Sequence, residues 1–477
     1  MENTALLTDF YSLTMAQGYW KRSSKDKAMF EMFFRHQPFG GGYSIFAGLG
    51  TLLEKLLNFS FSDDDIAYLK SLEVFEDGFI EYLREFSFKG SLWAMEEGTV
   101  VFPNEPLIRV EGSLVECQII EGMLLNNINF QSLIATKSCR IWLAANKGKV
   151  MEFGLRRAQG PDGAVSASRA AFIGGASGTS NTLAGKTFGI PVMGTMAHSW
   201  VMSFDSEEEA FEKYAELYPE RTIFLIDTYN TLKSGINNAI KVGRKLTAKG
   251  KTFGVRLDSG DIQYLSTECR RRLDEAGLQN AFITVSNDLD EDIIHTLVKE
   301  GAPVNSWGVG TKMVTGSKES AFTGVYKLAA HFKEGSYGAT PVMKLSDNPG
   351  KTTNPGIKQV WRILDKNGSP VADVLGLPFD DDVPKTGERC CFWHPSADYR
   401  HFFHDIDGSV LPLLKKKIDN GVLIGEQPSL TAIRGYMEKN LDSFDATYKR
   451  LLNPHVYKVS ITEKLRALKL ELILRVK

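Results

Sequence analysis

The stretch KTFGVRLDSGD, Lys251–Asp261, carries a short apolar run that ends in a cluster of charged and turn-forming residues. A run of this length, bounded by turn signals and rich in Phe, Val and Leu, reads as a buried β-strand. Six other stretches repeat the layout: VMEFGLRRA from Val150, AFIGGASGTSN from Ala171, IPVMGTMAHSW from Ile190, TIFLIDTYN from Thr222, AFITVSNDLD from Ala281 and VNSWGVGT from Val304. Strands recurring about every 20–30 residues, with helical patterns between them, predict a parallel sheet with crossover helices. In such folds the C-terminal strand ends converge on one face, where ligands bind and chemistry occurs. The series therefore predicts both an α/β core of seven strands and the position of its site.

Outward from this core, the chain divides into three regions, 1–135, 136–345 and 346–477. The first includes GSLWAMEEGTVVFPNEPLIRVEGSL, whose alternation predicts antiparallel strands joined by turns at Gly98 and Pro103-Asn104. In the second, SEEEAFEKYAELY has acids at its start and NTLKSGINNAIKVGRKLTAKG a basic end closed by Gly250, both marks of helix termini. The third opens on the turn-rich SDNPGKTTNPGIKQVWRI and ends in helical patterns such as ITEKLRALKLELI.

The chain of 477 residues is too long for one core. Its hydrophobic fraction of 43% and charged fraction of 24% are those of a globular enzyme. A net charge of -2 lacks the basic excess that nucleic-acid binding requires, and no apolar run reaches the length of a membrane span. Acids at Glu2 and Asp9 argue against a signal peptide. Five scattered cysteines suit reduced thiols in the cytoplasm.

The strand-end clusters collect complementary groups. Arg156, Arg157, Arg169, His198 and Arg256 supply cations or a switchable base, and Asp227, Asp258, Asp261, Asp288 and Asp290 supply carboxylates. Ser177, Gly178, Thr179, Gly308, Gly310 and Thr311 supply hydroxyls and amides. This mixture suits a polyphosphate with Mg²⁺, because guanidinium forks match phosphate oxygens and carboxylates hold the metal directly or through water. Singly, an Asp at a strand end is more often a helix cap and an Arg more often a surface group; recurrence favours a site. Three motifs point elsewhere. Ala184-Gly185-Lys186-Thr187 resembles the end of a P-loop, but Ser180 stands where the first glycine belongs. Cys390-Cys391-Phe392-Trp393-His394 lacks metal-ligand spacing and reads as a packed surface element. Lys415-Lys416-Lys417 reads as a solvated helix face.

LLTDFYSLTMAQGYW from Leu6, FGLRRAQGPDGA, GGASGTSNTLAG, GTMAHSW, DTYNTLKSG, GVRLDSGD, SNDLDE and GVGT, in this order, resemble the nicotinate phosphoribosyltransferase family, and PVMKLS and GIKQVWR extend the likeness. The resemblance implies a type II phosphoribosyltransferase fold: an irregular α/β barrel, an N-terminal α/β sandwich domain and a β-rich C-terminal region. It implies a homodimer with shared sites and a salvage reaction joining nicotinate to phosphoribosyl pyrophosphate, with Mg²⁺ as cofactor and ATP hydrolysis coupled. By the same resemblance His198, Asp227 and Asp258 form the catalytic set, and His198 is phosphorylated by ATP. Without it, His198 reads more readily as a buried, satisfied histidine than as a nucleophile. Tyr11 would stack on the pyridine ring from the other subunit. Thr195, Arg157 and Arg256 would meet the substrate, and Asn287, Asp288, Gly308, Gly310 and Thr311 the 5-phosphate. A nicotinamide-using enzyme of the same fold and a catalytically silent binding protein are the alternatives.

Overall fold

Residues 134–320 make up one of two compact units, and residues 1–133 with 321–477 make up the other. The computed structural model describes residues 5–23, 25–335, 338–397, 399–403 and 405–476. In the 134–320 unit the strands Lys149–Glu152, Ile223–Leu225, Gly254–Leu257, Phe282–Val285 and Ser306–Val309 form where the apolar runs predict them. With the two-residue strand Gly178–Thr179 they make a six-stranded sheet. Every pairing in it is parallel. Ser306–Val309 is buried along its whole length, as a strand covered on both faces must be.

The order across this sheet is Gly178–Thr179, Lys149–Glu152, Ser306–Val309, Phe282–Val285, Gly254–Leu257 and Ile223–Leu225. The last strand in sequence thus pairs with the first, as in a barrel. Beyond Thr179 the ladder continues only as an isolated parallel bridge to Val192. Among the described residues no pairing joins Val192 to Ile223–Leu225, so the ring stays open at one seam. A cavity of about 440 Å³ lies at that seam, lined by Met151, Val192, Thr195, Thr222 and Ile223 among others.

Two of the seven predicted strands are corrected. Ala171–Ile173 is the end of the helix Gly160–Ile173, stopped by Gly174 and by Gly175 at φ +105°. Its small and apolar residues continue the helix, and a strand begins only at Gly178. The Ile190 run gives the Val192 bridge alone, because Pro191 has no N–H to give a ladder. The helices read from SEEEAFEKYAELY and NTLKSGINNAIKVGRKLTAKG form at Glu207–Leu217 and Ile236–Ala248. The P-loop-like segment is the short helix Thr182–Phe188. A Cβ on Gly185 would lie 2.3 Å from Val192, so that glycine serves close packing.

In the other unit, a seven-stranded sheet joins both ends of the chain. Lys27–Phe34 pairs with Ile108–Ser113 and with Gly324–Phe332, and Ser91–Ala94 pairs with Lys415–Asp419. Regions 1–135 and 346–477 are therefore separate along the sequence but share this sheet in space. The turns at Gly98 and Asn104 have φ of +94° and +68°, as the strand pattern requires. Lys415-Lys416-Lys417 is strand, not a helix face: Lys417 pairs with Glu96 at 2.7 Å, and Lys416 lies 4.7 Å over the Trp93 ring. A second, six-stranded sheet comes entirely from residues after 358 and includes Cys390–Trp393, half-buried at its two cysteines. All five cysteines are free.

Candidate active site

Arg256 is the hub of the strand-end cluster. It leaves the Gly254–Leu257 strand two residues before Asp258, so both side chains project to the same face. Its Nη1 donates to Thr195 Oγ1 and, at 3.2 Å, to the carbonyl of Met196. Its Nε donates to Ser286 Oγ at 3.1 Å, and its Nη2 lies 3.4 Å from Asp258 Oδ1. Ser286 Oγ in turn donates to Asp258 Oδ1. Three strand ends thus fix one guanidinium.

Asp227 ties in the neighbouring strand end. Its Oδ2 accepts from the Asp258 amide at 3.0 Å and from Ser259 Oγ at 2.6 Å. Its Oδ1 is buried and has no hydrogen-bond partner. A buried carboxylate oxygen left unpaired costs free energy unless a ligand group, water or ion meets it. His198 opens the short helix His198–Met202. Its Nδ1 is 3.1 Å from Thr228 Oγ1, and its Nε2 is 3.8 Å from Asp258 Oδ2. His198 and Asp258 are only part-buried, with side chains 41% and 34% exposed, so a ligand can reach both.

Around this centre, Gly308 ends in a fully buried strand, where an added Cβ would lie 2.7 Å from the Phe153 ring. Gly310 precedes the four-residue helix Thr311–Val314, and its carbonyl accepts from the Met313 amide at 3.1 Å. Asn287 and Asp288 are exposed on the loop after Val285, with Asn287 at φ +119°. Arg156 and Arg157 are exposed on the turn Leu155–Arg157. Tyr11 lies in the other unit, on the helix Phe10–Ser23, with 49% of its surface exposed.

Not every strand-end group converges. Arg169 is buried within the Gly160–Ile173 helix, 5.8 Å from the Phe188 ring, and is no strand-end cation. Asp261 and Asp290 cap helices: each accepts from a backbone amide at 3.0 Å, Tyr264 and Ile293 respectively. Burial pushes the Asp290 carboxyl up, but the Ile293 amide and Lys312 outweigh it and hold the carboxyl below its ordinary value. Sequence reasoning missed Ser286 and Thr228, which hold Arg256 and His198. It also missed Glu152, buried at the end of the first strand. Glu152 accepts from Ser168 Oγ at 2.8 Å and from Thr179 Oγ1 at 2.5 Å, and so joins two strand ends. The hydroxyls sit inside SNDLDE and DTYN, where their carboxylate and amide neighbours draw the attention; Glu152 sits in an apolar run and gives no signal.

The 148–380 segment matches the profile "Nicotinate phosphoribosyltransferase (NAPRTase) family", and 6–129 and 357–469 match that family's N-terminal and C-terminal domains. The nicotinate phosphoribosyltransferase of Bacillus subtilis is 43% identical over 479 residues, covering 100% of this chain and 96% of its own length. The chain belongs to the nicotinate phosphoribosyltransferase family. The enzyme of that name from Homo sapiens is 35% identical, covering 97% of this chain and 95% of its own. The crystal structure of human nicotinic acid phosphoribosyltransferase superposes with a TM-score of 0.84 at 33% identity, over 98% of this chain and 100% of that one. A crystal structure titled nicotinate-nucleotide pyrophosphorylase, from Pyrococcus furiosus, gives a TM-score of 0.69 at 25% identity, over 92% and 95%. The open parallel barrel is accordingly that of the type II phosphoribosyltransferases. No helix among the described residues is long and apolar enough to cross a membrane.

Proposed function

We propose that the protein joins nicotinate to phosphoribosyl pyrophosphate, giving nicotinate mononucleotide and pyrophosphate in the salvage route to NAD. The observation that carries this reading is the Arg256 hub with the unpartnered Asp227 Oδ1 beside it. The C1–oxygen bond to pyrophosphate breaks as the pyridine nitrogen forms its bond to C1, through an oxocarbenium-like state. Asp258 and Asp227 stabilise that positive charge. Arg256, held rigid by Thr195 and Ser286, opposes the nicotinate carboxylate; a cation there favours nicotinate over the neutral nicotinamide. Asn287, Asp288, Gly308, Gly310 and Thr311 bind the 5-phosphate, and Arg157 the pyrophosphate.

Mg²⁺ fits here as an ion held through one or two carboxylates plus substrate phosphates and water, the usual mode for this metal. The described residues offer no cluster of three or more His, Cys, Asp or Glu that would cage it alone. Asp227, with its open oxygen, and Asp258 would hold it, and when bound it neutralises the leaving pyrophosphate. ATP phosphorylates His198: with Nδ1 donating to Thr228 Oγ1, Nε2 presents its lone pair, the P–N bond forms and the bond to ADP breaks. Tyr11 and Met15, four residues apart on one helix face and both exposed, support a homodimer in which Tyr11 completes the partner's site.

Pyrophosphate release with nicotinate and phosphoribosyl pyrophosphate, with and without ATP, tests the reaction; faster turnover of nicotinamide than of nicotinate would overturn the substrate assignment. Incubation with ATP should leave an acid-labile phosphate on the chain, absent in His198→Asn. Full labelling of His198→Asn would overturn the phosphohistidine alone.

A further inference from the structure

We propose that Lys312 is a positioning residue: its bond to Asp290 fixes the spacing of the two strand-end loops assigned to the 5-phosphate, and so sets how tightly a phosphorylated ribose is held. This role rests on the reading in which Asn287, Asp288, Gly308, Gly310 and Thr311 hold that phosphate. The loops follow neighbouring parallel strands, Phe282–Val285 and Ser306–Val309, whose last register pair is Val285 with Trp307. Past that pair, lysines of the second segment reach aspartates of the first. Lys312 Nζ donates to Asp290 Oδ2 at 3.4 Å, and Lys318 Nζ to Asp292 Oδ2 at 2.5 Å.

The two sides of this clasp are anchored differently. Asp290 is buried, and its Oδ1 accepts from the Asp292 and Ile293 amides at 3.2 and 3.0 Å as the cap of the helix Glu291–Lys299. Glu291, the next residue, is also buried and pairs with Lys137 at 2.5 Å and Arg140 at 3.0 Å. Buried charge therefore pins the first loop to the interior of its unit. The second loop runs through Gly308 and Gly310 into a helix of only four residues. Within 286–292 and 308–314 Lys312 is the sole basic residue, so no other cation of these segments can take its place.

A phosphate that meets both loops is held best when they already stand at the right separation, because the ordering cost then falls before binding. The Lys312 side chain is part-exposed, yet its ammonium lies against a buried carboxylate of the opposite loop. That carboxylate is fixed by its helix, so the bond carries the position of the first loop to the second. The Lys318–Asp292 pair crosses the same gap with both side chains exposed, where an ion pair contributes little. Lys312 is the bridge whose loss the phosphate site feels.

The test is calorimetric binding of ribose 5-phosphate to the full chain, beside steady-state kinetics. Lys312→Gln should weaken ribose 5-phosphate, and raise KM for phosphoribosyl pyrophosphate, about fivefold, the upper end for a part-exposed ion pair. The kcat and the KM for nicotinate should not move. Asp290→Asn keeps the helix cap and should give the same loss. The double variant should be no weaker than either single one, because each already removes the same bond. Lys312→Arg, which can still reach the carboxylate, should restore binding. A loss in Lys312→Gln with none in Asp290→Asn would mean that Lys312 meets the phosphate itself, and would overturn the clasp. An equal loss in Lys318→Gln would mark missing positive charge alone and would overturn it as well. So would a fall in kcat together with the unfolding midpoint, or no binding of ribose 5-phosphate by the unmodified chain. Binding is read without turnover, so failure to form nicotinate mononucleotide would count against the proposed reaction and not against the clasp.

Discussion

Two arginine–aspartate pairs in this chain have the same partners and opposite character. Arg362 and Asp373 are 2% and 0% exposed, joined by two hydrogen bonds of 2.9 and 2.6 Å. Tyr457 donates to Asp373 at 3.0 Å, Arg362 also holds the Val100 carbonyl at 2.8 Å, and its guanidinium lies 5.1 Å over the Phe444 ring. Arg256 and Asp258 meet at one contact of 3.4 Å, with side chains 16% and 34% exposed, and share Ser286 between them. In the first pair protein groups fill all but Arg362 Nη1, which no ligand can reach; the second, part-exposed and with Asp227 beside it, keeps an oxygen open. A closed ion pair holds a fold together, and an open one at strand ends is a candidate site.

The largest expected effect comes from breaking the closed pair. Asp373→Ala leaves Arg362 buried without its counter-charge and should destabilise the protein by about 3–5 kcal/mol. Urea unfolding measures this; a loss below about 1 kcal/mol would mean the pair is replaceable. Asp258→Asn should do the converse. It should lower kcat about 10²–10³-fold, the scale of one lost charge-stabilising group in a transition state, with little change in unfolding midpoint. If stability fell and rate did not, the comparison would be reversed.

Ser286→Ala is the intermediate case. It removes the hydroxyl that orients Arg256 against Asp258, worth about 1–2 kcal/mol or roughly 5–30-fold in kcat/KM for nicotinate. An equal loss with a neutral pyridine substrate would show that Ser286 does not act through Arg256. The smallest effect concerns Glu105, which stands beside the closed pair. Burial, then the Asp373 charge, hold its carboxyl well above 4.5. A raised folded value means its stabilising share is complete below the ordinary carboxylate range and is lost as pH rises through the folded value. Stability should therefore decline with rising pH, by at most about 1.4 kcal/mol per unit, the limit for one proton. Glu105→Gln should flatten that slope in unfolding measured across pH.

Much of the barrel was legible because buried parallel strands are nearly continuous apolar runs. Phe282–Val285 and Ser306–Val309 could not have read otherwise. The Ala171 run failed because three small and apolar residues fit a helix end as well as a strand, and only Gly174-Gly175 decides between them. Lys415–Asp419 failed because a run of lysines has no periodicity of its own; its conformation is set by the partner strand at Ser91–Ala94. At the site, the charged residues were legible and their hydroxyl partners were not. A serine such as Ser286 acquires its role only when another strand brings Arg256 to it.

The sequence by itself determined five of the seven strands, the face on which polar groups gather and the position of Arg256, Asp258, Asp227 and His198 on that face. These follow from local rules: apolar runs seek burial, and side chains two apart on a strand share a face. Only the tertiary structure decided which carboxylates became helix caps, where the barrel stays open and which oxygen of Asp227 is left without a partner. It also decided that residues after 411 complete a sheet begun before residue 35. Those outcomes depend on contacts between segments far apart in the chain, and no local pattern of apolar and charged residues encodes the distance between two such groups.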